Sequence, residues 1–378
     1  MTGAKWVSEA IIREKDPLSG AQVIQITSAP IISNNIYCEQ PYCTPDGERF
    51  AFIRIFYHPH KIMEALWICD LKTKRIAMVE PEIQLGVANC KYSGIIYYGV
   101  DKDDGRKLIR LSLDTLEKEV VFNLDEVPIE RIYSVSPDQR YCLAFSIPRP
   151  GKCQVIRLDL KKGDWKIIHE NVDIINPHLQ YEPSRGNDIL VQHNRGGMVD
   201  EAGNIIRLVG EEGATHYVID NEGKNYRQLP IGKPYTAPST GHSCWVGDTG
   251  EILVTVRASP EEALRNGNLL MAKPGAKRAK TIAKGYRFGH ISASKDGKYF
   301  IGDAWNAPGK PIVIGSIKTG RCMILCNPET SGGTPQYTHP HPYMTGDNKW
   351  VIYNSDKTGI PQIYVASIPP EFLDSLTA

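Results

Sequence analysis

No apolar run in this chain of 378 residues approaches the roughly 18–20 residues that a membrane-spanning helix needs. The opening stretch, Met1 to Glu9, lacks the apolar centre of a secretory leader, so the expected location is the cytoplasm. An excess of either charge is missing too. Lys and Arg number 44 against 43 Asp and Glu, for a net charge of +1, which argues against nucleic acid and anionic membranes as partners. The one local basic run, Lys273 to Lys284, surrounds Pro274-Gly275 and reads as a solvated turn between outer strands. The nine cysteines contain no Cys-x-x-Cys pair and are odd in number, which excludes a zinc knuckle or a disulfide framework and predicts free thiols in a reducing compartment. Neither a Walker loop nor a Gly-x-Gly-x-x-Gly turn is present. Gly241-His242-Ser243-Cys244-Trp245 lacks the last glycine of a nucleophile elbow. Paired carboxylates for glycoside hydrolysis are not evident, and Asp303, the nearest candidate, is expected to cap a turn.

A recurring unit organises what is there. Each copy has a polar or aromatic lead-in, a Pro/Asp/Gly turn and a short alternating strand. The strands of the copies are Phe50–Ile53, Ile95–Tyr98, Cys142–Phe145, Ile189–Val191, Ile252–Val256, Tyr299–Ile301 and Trp350–Tyr353. A second hairpin follows most of them, as in Val155–Leu158 turning at Lys161–Asp164 into Trp165–Ile168. Two hairpins per repeat of roughly 45–50 residues is the pattern of a propeller blade. The chain is therefore expected to be all-β, a seven-bladed β-propeller forming a single domain over residues 1–378. The last copy has no outer strand, and Val23–Thr27 near the N-terminus is a strand without a blade. Pairing the two closes the ring and removes an open edge. Two departures interrupt the period. The excess length from His193 to Ala214 is expected over one end of the channel, where ligands bind. Ser259 to Arg265 reads as a short capped helix.

Repetition gives the histidines meaning, because equivalent positions of different blades face one end of one channel. His178, His242, His290 and His341 share the lead-in position of the fourth to seventh copies, and Asn34 and Asn35 precede the first copy in a similar way. Beside them lies Gln336-Tyr337-Thr338-His339-Pro340-His341. If that segment is extended, His339 and His341 point to one face. Imidazoles plus an amide oxygen suit a borderline ion such as Mn, Fe, Ni or Zn. His290, Gln336, His339 and His341 are thus the candidate ligands of a divalent metal, with His242 free to act as a base.

Gln336-x-x-His339-x-His341 with its Pro-x-x-Thr-x-Asp continuation, His290, His242-x-x-Trp245, Asn34-x-x-Tyr37 and His178-x-Gln180 together resemble the oligogalacturonate lyases of pectin catabolism. The resemblance spans nearly the whole chain. It implies a metal-dependent lyase acting on acidic oligosaccharides by β-elimination, with Mn2+ held by His290, Gln336, His339 and His341 and with His242 as base. His178, Gln180, Asn34 and Tyr337 are the implied substrate contacts. The family's carboxylate-neutralising arginine falls at Thr215 in this chain. Arg195, in the long insertion, and Arg287, beside His290, are the alternatives for its part. Competing readings are a non-catalytic propeller that binds a sugar or protein, and a metal-dependent hydrolase or lactonase.

Overall fold

Turn chemistry explains where the strands begin. In Thr44-Pro45-Asp46, Ser136-Pro137-Asp138, Ser294-Lys295-Asp296 and Thr345-Gly346-Asp347 the hydroxyl donates to the aspartate two residues on, at 2.5–2.7 Å. The same hydroxyl accepts the backbone N–H of the residue that opens the following strand (Arg49, Tyr141, Tyr299 and Trp350). Each turn satisfies its own backbone locally and launches the strand in a fixed direction.

The computed structural model describes residues 4–202 and 204–378. The first three residues, where the reading of the leader begins, and Gly203 of the insertion lie outside the described residues. Among the described residues, antiparallel groups of strands succeed one another along the chain, one around the strand of each copy; the first three are linked into one twelve-stranded network, and Met198–Val199 with Ile205–Arg207 forms a separate ribbon in the insertion. The third, for example, runs Arg131–Val135, Tyr141–Arg149, Lys152–Asp159 and Asp164–Asn171. One long strand, Arg75–Asn89, serves two sheets. Its first part pairs with Lys61–Asp70 and its last part with Ile95–Lys102. The switch falls at Leu85 and Gly86, both with positive φ. Apolar side chains of neighbouring sheets interdigitate between the blades, as where Ile301 and Ile314 meet Val351 and Tyr364. Together these sheets make a β-propeller.

The ring closes as the sequence suggests, with one difference. Gln22–Gln25 pairs antiparallel with Gln362–Ser367, Ile24 opposite Val365. This closing strand is not the first of the chain. Trp6–Ser8 lies on the outer strand of blade one, and Ile11–Lys15 forms a fifth, outermost strand of blade seven. The segment thus crosses from one blade to the other. At the bend Glu9 holds the buried Arg54 through its two terminal guanidinium nitrogens, at 2.6 and 3.0 Å. These strands are short and their pattern weak, so alternation alone does not reveal them.

The helix Pro260–Asn266 has the expected Ser259–Glu262 capping box. Of the basic run, Lys273, Lys277 and Arg278 lie between the outer strands Leu269–Ala272 and Lys280–Ala283, whereas Lys280 opens the second strand and Lys284 follows it. All nine cysteines are free, eight of them buried. Among the described residues no helix is long and apolar enough to cross a membrane.

Candidate functional site

One cavity of about 750 Å³ opens at the mouth of the channel, and every blade contributes to its wall. Val87, Tyr133, Gln192, His242, His290 and His341 come from blades two to seven in turn, and Asn34 from blade one. Leu208 reaches it from the insertion of blade four. The extra length therefore does lie at this end.

Three imidazoles converge in the wall. Ring nitrogens of His290, His339 and His341 all lie within 4.8 Å of one another. The His290 ring centroid is 4.1 Å from that of His341 and 5.1 Å from that of His339. The route to this convergence is not the extended segment expected from the sequence. Gln336–Thr338 is a 3-10 turn, His339 is extended (φ −81°, ψ 142°), and His341 has φ 44°. A left-handed backbone at a non-glycine residue is strained, and such strain persists where the surroundings impose it. Asn35 supports it by donating its side-chain N–H to the carbonyl of His341 at 2.8 Å.

Hydrogen bonding fixes which nitrogens remain available. His290 Nδ1 and its backbone N–H both meet the carboxylate of Asp303, each at 2.7 Å, so Nε2 faces the other way. Asp303 is fully buried and also accepts from Trp305 Nε1 at 2.9 Å. It does not cap a turn; it orients an imidazole. His339 Nε2 meets the carbonyl of Gly333 at 2.9 Å. That leaves His339 Nδ1 and both nitrogens of His341 buried with no hydrogen-bond partner among the described residues. Unpaired buried polar atoms are costly, and several around one point mark a place where something else binds. Burial, aided by the neighbouring imidazoles, holds His290 and His341 well below the usual histidine range, in the neutral form that ligates metals.

His242 stands beside this group, its ring centroid 4.4 Å from that of His290. Burial and then the His290 ring push its pKa down to about 3, which keeps the ring unprotonated. Its Nδ1 is 3.2 Å from Thr240 Oγ1. Gln336, Tyr337, Asn34, His178 and Arg287 line the same cavity.

Two predicted residues lie elsewhere. Arg195 is not in the cavity wall; it pairs with Glu212 and donates to the carbonyl of Lys233. Gln180 is buried behind the wall, where its amide donates to Glu39 and to the carbonyl of Ser243. Thr215 is likewise buried and off the cavity.

Other wall residues escape a reading of the sequence. Arg131 and Arg257 reach the cavity, and with Arg287 they have no carboxylate partner among the described residues. Glu39 is buried in the wall against His178. It sits one residue before Gln40-Pro41 in the first lead-in, and its place in the repeat was the only signal available. For Asp303 the signal was strand pairing, because Ile291 opposite Gly302 sets 303 beside 290.

A family model described as oligogalacturonate lyase matches residues 133–372. The chain is 25% identical over 411 residues to an oligogalacturonate lyase of Dickeya dadantii, covering 98% of this chain and 99% of that protein. It is 24% identical over 397 residues to an oligogalacturonide lyase of Pectobacterium atrosepticum, covering 94% and 95%. A solved oligogalacturonate lyase in complex with manganese superposes with a TM-score of 0.72 at 21% identity, over 99% of this chain and 100% of that one. A second, from Vibrio parahaemolyticus, gives 0.70 at 18%, over 98% and 99%. With most of blades three to seven inside the matched region, the chain belongs to the oligogalacturonate lyase family.

Proposed function

We propose that this protein cleaves short galacturonate-type oligosaccharides by β-elimination, with the whole chain acting as one propeller in the cytoplasm. The free thiols fit a reducing compartment, and the near-neutral net charge speaks against nucleic acid as a partner. The observation that carries the reading is the meeting of His290, His339 and His341, from two blades, with unpaired nitrogens turned toward one point and His242 alongside.

The residues present fit a divalent ion of the manganese type. The orphaned nitrogens of His339 and His341 need a partner that the described residues do not provide, and Asp303 fixes His290 as carboxylates fix metal-bound histidines. Gln336, on the turn leading into the cluster, adds an oxygen donor of the right kind. When bound, such an ion neutralises the uronate carboxylate and makes the neighbouring C5–H acidic.

The chain's own side chains supply the rest. His242, unprotonated, takes the C5 proton, and the C4–O bond breaks to leave a 4,5-unsaturated uronate. Arg287 takes the part of the arginine that Thr215 replaces, since it lines the cavity with no ion-pair partner among the described residues while Arg195 does not reach it. Asn34, Tyr337 and His178 contact the sugar from blades one, seven and four, and Gln180 acts from behind through Glu39. The test is ultraviolet absorbance of the conjugated product when manganese-loaded protein meets oligogalacturonate. No absorbance with any uronate oligomer, in protein that holds the ion, refutes the reading.

A further inference from the structure

The cavity holds a second carboxylate–imidazole pair, to which the elimination above gives no chemistry. Glu39, 3% exposed, reaches from the first lead-in to blades four and five. Its Oε2 meets His178 Nδ1 at 2.8 Å and accepts from Gln180 Nε2 at 3.3 Å, while Oε1 accepts the backbone N–H of Ser243 at 3.0 Å. Neither lysine nor arginine pairs with it among the described residues. A buried carboxylate hydrogen-bonded to an imidazole fixes the ring and stabilises positive charge on it, here with Lys91 and His242 also in its field. His178 has φ 43°, the same strained conformation as His341 at the equivalent place in blade seven. Its Nε2 lies 3.0 Å from Asn176 Nδ2, an N–H donor, and accepts there; once a ligand oxygen in the cavity takes the place of that amide, Nε2 can carry a proton toward it. The Tyr37 ring lies between the two, with centroids 5.5 Å from His178 and 4.8 Å from His341.

Elimination needs two proton transfers. A base removes the proton from C5, and the oxygen leaving C4 must gain one. In a galacto-configured uronate these two bonds are trans-diaxial, so base and donor work on opposite faces of the ring. One imidazole beside the metal ligands cannot serve both.

Resting on the lyase reading, we propose that His178, held by Glu39, is the proton donor to the departing glycosidic oxygen. The C5–H electrons become the C4=C5 double bond, and the C4–O electrons stay on the oxygen, which takes the proton from Nε2. His178 is left neutral and recovers a proton from water, while His242 releases one, so the turnover is balanced. Glu39 is a positioning residue.

The test varies the leaving group. His178→Ala and Glu39→Gln are compared with the parent protein, all manganese-loaded, on a galacturonate oligomer and on a galacturonate carrying nitrophenoxide at C4, which departs without protonation. The proposal expects His178→Ala to lose ~10²–10⁴-fold in kcat on the oligomer but less than ~10-fold on the aryl ether. Glu39→Gln follows the same pattern with a smaller loss, and serves alone if the alanine variant does not fold. Manganese content stays at the parent level in both. Equal losses on the two substrates overturn the donor role and leave the lyase reading standing, as does a selective loss in Tyr37→Phe in place of His178→Ala. A parent protein that turns over neither substrate overturns both.

Discussion

The carboxylate of Asp303 grips His290 twice, through the ring Nδ1 and through the backbone N–H, each at 2.7 Å. It is buried completely, and its remaining bond goes to Trp305. A carboxylate in that place sets which nitrogen His290 presents and raises its basicity as a ligand. Asp303→Ala is expected to weaken manganese binding by roughly 10–100-fold. Calorimetric titration of manganese into the metal-free protein measures this directly, and unchanged affinity would show the pair to be structural only.

His242 touches His290 yet is assigned to proton removal. His242→Ala should lower kcat by ~10²–10⁴-fold while the purified variant keeps its manganese. Parallel measurements of product absorbance and metal content check this; equal loss of both refutes the assignment as base.

The two arginines separate cleanly in the structure. Arg287→Ala, which removes a charge from the cavity wall, should reduce kcat/KM by ~10–100-fold, the value of one hydrogen bond to a charged group. Arg195→Ala, whose side chain is engaged with Glu212 outside the cavity, should stay within about 2-fold of the parent. Steady-state kinetics on a uronate oligomer decides it, and the reverse order of effects would move the arginine to the insertion.

Stability has its own test at the ring closure. Arg54 is 2% exposed, stacked 4.4 Å from the Trp67 ring centre, and its carboxylate partner is Glu9. Glu9→Gln leaves that charge uncompensated and is expected to cost about 3 kcal/mol in urea unfolding. Burial alone would raise the pKa of Glu9, but the hydrogen bonds from Arg54 and from the N–H groups of Ala29 and Ser28 hold it below the usual range. A lowered carboxylate contributes stability above its unfolded pKa and loses it as the pH falls through the folded one. The gap between parent and variant should therefore close in acid, below about pH 4; a gap that widens there contradicts the account.

The blades were legible because turn chemistry and alternation repeat. Thr44-Pro45-Asp46 and Thr345-Gly346-Asp347 announce strands by the same hydroxyl-to-carboxylate bond. Blade symmetry likewise placed His178, His242, His290 and His341 at one mouth. The part the supporting carboxylates play is not legible in the same way: Asp303 stands out in the sequence only as a turn cap. Asp303 needs the register of two strands, and Glu39 needs the closure of the whole ring, since it acts on blades four and five from the lead-in of blade one. The backbone at His341 departs from the extended expectation for a related reason: its left-handed φ is held by Asn35, from a distant part of the sequence.

The central claim is that imidazoles from blades six and seven share one ion. A crystal grown with manganese, measured at the manganese absorption edge, tests it most directly. A single anomalous peak within ligand distance of His290, His339 and His341 is the predicted result. A peak elsewhere, or none at those nitrogens with manganese in excess, would contradict it.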